Sequence, residues 1–296
     1  MAAGRVTESS IHTRVLNNLQ RSISRGQKIQ EQLSSGKQIN RPSDSPTGTV
    51  SSMQLRGESR ANQQYSRNAD DGIGWLSTLD STLTSASTLV NRARDLTVQG
   101  LSSGSNTGQS NEALAAEIDQ IKSSLVGYAN TKYLDRPVFG GTTTGDVAYD
   151  PGGAYVGDNG QTTRTVGANS KIRVDARGPE AFGTGDTQLF TVLQNISDSI
   201  RSGDTDALND NLTKLDAASD LMKNTLSDVG ARYNRVTQMK QSAQDRILTV
   251  ASQLSDVEDV DLPKAIMEMQ LQQTSYQAAL AASAKVIQPS LIDFLR

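Results

Sequence analysis

The sequence predicts a mainly α protein: a long-helix bundle with coiled-coil terminal helices and a small inserted β domain. Three observations carry this. Apolar residues in both halves recur at alternating steps of three and four, the spacing of a helix seam packed on other helices. Between about residues 138 and 183 that rhythm gives way to Gly, Thr and Asp with short alternating runs. Aromatics make up only 4% of the 296 residues. A core must then come from Leu, Ile, Val and Ala, which suits helices packed along their lengths.

Taken in order, Leu16, Leu19, Ile23 and Leu33 form an N-terminal stripe, with Gly26 and Gln30 at the intervening positions. GKQINRPSDSPTG (36–48) ends that helix, because Pro42 and Pro46 each bias the preceding residue away from helical geometry. Ile73, Leu76, Leu79, Leu83, Ala86, Val90 and Ala93 mark a long second helix. SSGSNTG (102–108) is a loop, and residues 111–132 make a shorter helix. In the inserted β unit, KIRVD (171–175) reads as a strand, with PGG, GDNG and RGP as turns.

Met222, Leu226, Val229, Tyr233 and Val236 then continue, after a lapse at Lys240, through Ala243, Ile247, Val250, Leu254 and Val257. This stripe reads as an intramolecular core. DVEDVDLPKA (256–265) interrupts it: Asp261 can cap a new helix, and Pro263 is tolerated only in a first turn. Beyond it Leu262, Ile266, Met269, Gln273, Tyr276, Leu280, Ser283 and Ile287 repeat the rhythm, and Pro289 ends it before an apolar plug of Leu291, Ile292, Phe294 and Leu295.

Residues 1–45 carry seven Lys/Arg against three Asp/Glu, and residues 256–296 carry six Asp/Glu against three Lys/Arg. Opposite signs favour pairing of the terminal helices, although exposed ion pairs contribute only about 0–1 kcal/mol each. The apolar stripes must supply most of the stabilisation. Because a terminal helix pair buries little alone, both stripes are expected to order against neighbouring molecules.

Catalytic chemistry finds no footing. His12 is the single histidine and there is no cysteine, so triads, thiolates and His-rich metal sites lack their parts. Asp70–Asp71 and the run Asp256, Glu258, Asp259, Asp261 lack the spacing of a calcium loop and read as helix-end charges. SSGK (34–37) has no upstream glycine and is followed by Gln38, so it is no phosphate loop. GDNG (157–160) is turn composition, and the sequons at Asn195 and Asn211 fall in predicted helices. No cofactor or metal is expected. A net charge of −3 without a basic face argues against nucleic acid. A cleavable secretory signal is not expected, and with no stretch of roughly 20 apolar residues neither is membrane insertion.

At this point the residues resemble a known group. LSSGKQINRPSDSPTG (33–48) is similar to the signature shared by bacterial flagellins and flagellin-like hook-associated proteins, through Leu33, Ser34, Gly36, Ile39, Asn40, Asp44, Pro46 and Gly48. Ser45 stands where the family usually has a second acidic residue. NADDGIGWLSTLD (68–80), GARYNRV (230–236) and VEDVDLPKAIMEMQLQQTSYQAAL with QPSLIDFL resemble its helical motifs, with Pro263 where Ala is more usual. Within the group, SLIDFL, Trp75–Leu76 and YVGDNG followed by RGPEAF lean toward members that join hook to filament, with a short filament flagellin as the alternative.

The resemblance implies a non-enzymatic structural subunit of the flagellum. Its parts would be an N-terminal helix of a terminal, inner-tube domain (1–45), a helical middle domain (46–137 and 186–257), a small outer β domain (138–185) and a C-terminal helix (258–296). It implies export without signal cleavage by the flagellar type III apparatus. Implied partners are further copies of the chain in a ring, a hook-associated protein on the hook side, flagellin on the filament side, and an export chaperone on the C-terminal helix. Subunit contacts are expected at Leu16, Leu19, Ile23, Leu33, Leu262, Ile266, Met269, Tyr276, Leu280, Ile287, Leu291, Ile292, Phe294 and Leu295.

Overall fold

The computed structural model describes residues 8–102 and 108–287, with side chains within 13–102 and 108–284. Among the described residues seven α-helices run in chain order: α1 (Glu8–Ser35), α2 (Pro46–Ser102), α3 (Gly108–Ala129), the short α4 (Gly178–Phe182), α5 (Leu189–Ser202), α6 (Thr205–Glu258) and α7 (Leu262–Ile287). Between α3 and α4 lie two antiparallel hairpins, β1 (Lys132–Tyr133) with β2 (Arg136–Pro137), and β3 (Thr163–Gly167) with β4 (Ser170–Arg173). The chain divides into a terminal unit, up to Arg60 and from Ile247 onward, and a middle unit, Ala61–Arg246.

The middle unit holds the main core. On α2, Ala69, Leu76, Leu79, Leu83, Ala86, Val90 and Ala93 are fully or almost fully buried. On α6, Leu208, Leu215, Met222, Val229 and Val236 are buried at strict seven-residue intervals. That is the coiled-coil period written into one helix. Leu114, Ile118, Ile121 and Leu125 of α3 and Leu193, Ile196 and Ile200 of α5 complete the bundle.

The scarce aromatics are concentrated where the insert meets α4 and α5. Three of the four phenylalanines join Tyr149 in one cluster: Phe182 packs on Phe139, Tyr149 and Phe190, and Tyr149 also on Phe190, at ring-centroid distances of 5.0–5.7 Å. Asn130 stitches the insert to the end of α3: its side chain accepts from the amides of Ala148 and Tyr149 and donates to the Tyr149 carbonyl, each at 2.8 Å.

The hydroxyl of Tyr149 is buried without a partner, and burial pushes its phenol well above the ordinary range. An unpartnered buried hydroxyl costs more than it contributes. Tyr149→Phe is therefore expected to raise the stability of the middle unit by about 1 kcal/mol. Denaturant melts followed by the single, buried tryptophan, Trp75, read this directly. A loss of stability would mean the hydroxyl has a role.

The β region begins earlier than its composition suggests, at Lys132 instead of near 138. The first hairpin turns on Leu134 and Asp135, which carry none of the Asn-Gly signature that marks such turns in a sequence. Two other expected breaks fall where the chain has them: α1 ends before Gly36, and α6 gives way to α7 across Asp259–Asp261, while most of the loop expected at 102–108 lies outside the described residues.

Candidate assembly surface

In the terminal unit α1 packs on α7, antiparallel, since Lys37 bridges Asp259 while Ser22 meets Gln272. The contact seam is Val15, Leu19, Ser22, Gly26, Ile29 and Leu33 on α1, and Ala265, Met269, Gln272, Tyr276, Ala279 and Ser283 on α7; these are the positions drawn out of solvent. Many are small. A Cβ on Gly26 would already touch Gln272, and the Gln272 amide donates to the Ser22 carbonyl and hydroxyl at 2.8 and 2.7 Å.

The expected interface residues divide accordingly. Leu19, Leu33, Met269 and Tyr276 sit in this intramolecular seam. Leu16, Ile23, Leu262, Ile266 and Leu280 do not: they remain 43–61% exposed. Ile287 ends α7 with its side chain outside the described residues, as Leu291, Ile292, Phe294 and Leu295 are outside them altogether. The seam is thus rotated from the stripe that the largest apolar residues trace, toward Ala265, Gln272 and Ala279.

At about 100° per residue, the exposed set lies roughly 60–100° to one side of the seam centre on both helices. In an antiparallel pair those flanks share one side. The other side is a polar groove of about 520 Å³ lined by Asn18, Arg21, Arg25, Glu268, Leu271 and Ser275. One helix pair therefore presents an apolar edge and a charged edge. At half exposure, covering each of the five apolar side chains contributes roughly 1 kcal/mol.

A clasp holds the far end of this pair. Gly36 adopts φ +69, the left-handed conformation that ends α1, and its carbonyl accepts from the amide of Val260 at 3.0 Å. The Gln38 amide donates to the Glu258 carbonyl, and Lys37 pairs with Asp259 at 2.6 Å and Glu258 at 3.6 Å. Glu258 is the buried member, its side chain 4% exposed, and it also takes Arg56 of α2 at 2.7 Å.

The other family-motif residues shape the loop. Asp44 accepts from the amides of Asn40 and Arg41 and pairs with Lys28 at 3.0 Å, while the Asn40 side chain donates to the Lys37 carbonyl. Ser45 caps α2, accepting from the Gly48 amide, and Pro46 opens the helix. A Cβ on Gly48 would come within 2.6 Å of Ile39. Ser34 lies exposed on the last turn of α1. Asp261 accepts from the Lys264 amide, the cap that starts α7.

Burial pushes the Glu258 carboxyl upward, but the bond and charge of the Arg56 guanidinium, the Ser52 hydroxyl and the Lys37 charge together outweigh this and hold it below the ordinary range. Lys28 and Lys37 similarly hold Asp44 and Asp259 down. Carboxyls lowered on folding add stability above their unfolded values near pH 4, and that stability is lost as pH falls through the folded values. Acidification toward pH 3 is expected to open residues 36–45 to protease. Unchanged protection there would refute the clasp. Because Glu258 is buried and its cations are exposed, Arg56→Met is expected to cost more than Glu258→Gln. Leaving the buried carboxylate with only Lys37, at 3.6 Å, as its cation costs about 1–2 kcal/mol, a roughly five- to thirtyfold fall in hydrogen-exchange protection at Gln38 and Val260. Equal effects would show that Glu258 does not depend on Arg56.

Among the described residues no cluster of His, Asp and Glu fits a metal ion, and no helix is long and apolar enough to cross a membrane. The features that gather in one place belong to packing.

Known proteins fit this geometry. The bacterial flagellin N-terminal helical region matches residues 7–144 and the bacterial flagellin C-terminal helical region matches residues 212–295, together three quarters of the chain. Flagellin of Bacillus subtilis is 26% identical, covering 96% of each chain. Flagellar hook-associated protein 3 of Escherichia coli is 26% identical, covering 86% of this chain and 88% of its own. Among solved structures, a flagellar hook-associated protein from Vibrio parahaemolyticus superposes with TM-score 0.67 at 20% identity, over 73% of this chain and all of the other. A flagellar junction protein from Legionella pneumophila gives 0.58 at 15%, over 70% and 99%. These structures share the fold.

Proposed function

The chain belongs to the bacterial flagellin family, and from that premise we propose that it is a structural, non-enzymatic subunit of the flagellum that joins hook to filament. The observation that carries this reading is the divided terminal pair. Its seam is already satisfied within the chain, yet a second apolar edge, Leu16, Ile23, Leu262, Ile266 and Leu280, is left open on one side. A seam rich in Ser, Gly, Gln and Ala stabilises an isolated pair only weakly. Neighbouring subunits that cover the apolar edge would supply the rest, so ordering and assembly are one event.

In this proposal the chain reaches the tip by type III export with an export chaperone on its C-terminal helix. There it forms a ring with further copies, between a hook-associated protein and flagellin, outside the cell. The plug of Leu291, Ile292, Phe294 and Leu295 belongs to the same joint. The E. coli hook-associated relative and the Legionella junction protein favour the junction.

The Bacillus flagellin, at the same identity as the E. coli protein, supports a second reading, a short filament subunit. Gene deletion separates the two. A junction subunit leaves intact hooks with flagellin shed into the medium. Purified chain that polymerised alone into long filaments would instead establish the flagellin reading.

A further inference from the structure

We infer that the tip of the β1–β2 hairpin is a docking knob, received by a cavity beside α3 on a second copy of this chain. The tip is a two-residue turn in which Leu134 and Asp135 have φ of +48 and +61. Turns of this kind favour Asn-Gly, and a bulky side chain at positive φ is strained. Leu134 is also 71% exposed. A strained leucine held in water contributes nothing to its own fold. Such an outlier points to use outside it.

The cavity, about 480 Å³, lies in the same middle unit. Val126, Gly127, Val147 and Pro151 give it apolar lining, and Asp119 and Lys122 give it charge. Val147 remains 42% exposed, so this lining is unfilled. Tip and cavity match in chemistry. Leu134 suits the apolar lining, while the exposed Asp135 and Arg136 that follow it can meet Lys122 and Asp119. Lys122 donates to a neutral acceptor, Gln194, at 2.9 Å, and Asp119 pairs with Arg201 at 2.7 Å. A knob and a cavity on different parts of one chain make a head-to-tail contact, which repeats around a ring or a helix. The inference rests on self-assembly as proposed above, and not on where in the flagellum the chain sits.

The chain has no cysteine, so engineered thiols report without background. Leu134→Cys and Val147→Cys chains, co-expressed and oxidised in isolated flagella, are expected to give a mixed disulfide dimer that neither gives alone. Leu134→Asn, which tolerates the left-handed turn, is expected to lower incorporation at least tenfold while leaving the melting temperature equal or higher. Gly127→Leu should lower it similarly by filling the cavity, since a Cβ there meets nothing within 4 Å. Incorporated chains that give no mixed dimer, or that link Leu134→Cys to a different protein, would overturn the inference. So would normal incorporation of both other variants. Immunogold position along the flagellum tests the junction proposal separately.

Discussion

Ile266→Asp is expected to remove the chain from assembled flagella by roughly a hundredfold or more while its middle unit stays folded. Ile266 is 49% exposed on the open edge of α7, so the free chain loses little when it changes. A neighbour that covers it loses about 1 kcal/mol of apolar burial and must also desolvate a carboxylate, at a further 2 kcal/mol or more. About 3 kcal/mol is a factor of over a hundred in association. Trp75, buried in the middle unit, should report an unchanged melt. Met269→Asp, three residues on, should act differently, loosening α1 from α7 and lowering the helix content of the free chain. Incorporation of the Ile266 variant at wild-type levels would sink the assembly-edge assignment.

Phe182→Ala is expected to have the largest effect on stability. Phe182 is fully buried and touches Phe139, Tyr149 and Phe190. Truncating such a ring leaves a cavity and costs about 3–5 kcal/mol. Domains have only about 5–15 kcal/mol in total. At about 2–4 °C per kcal/mol for a domain of this size, Trp75 fluorescence should show a melting temperature lower by roughly 6–20 °C. A fall of less than about 3 °C would mean the aromatic cluster is not the keystone of the insert.

The sequence made the helices legible because one face of each is buried at a constant period, as Leu208 through Val236 illustrate. The α6–α7 break was legible too, since Asp261 and Pro263 act locally. The phase of the terminal seam was not. Hydrophobicity marks Leu262, Ile266 and Leu280 as wanting cover without saying which neighbour gives it, and the true seam uses Ser22, Gln272 and Ala279, which carry little apolar signal. The clasp was equally hidden: Lys37 and Asp259 are 222 positions apart, and Glu258 looks like any helix-end acid until Arg56 is placed over it. The first hairpin was missed because Leu134 and Asp135 contradict the usual turn chemistry.

The bond between Ser22 and Gln272 has a further consequence, one of measurement. Sliding α7 by one heptad would carry Gln272 from Ser22 to Val15 or Ile29 and strand its amide against apolar side chains. The neighbouring registers are thereby penalised even though small seam residues would fit them. One heptad is about 10.5 Å of rise, so a slipped subunit would present Leu262 and Ile266 at the wrong height relative to Leu16 and Ile23. A single amide sets the vertical scale on which every copy must agree if a ring is to close flat.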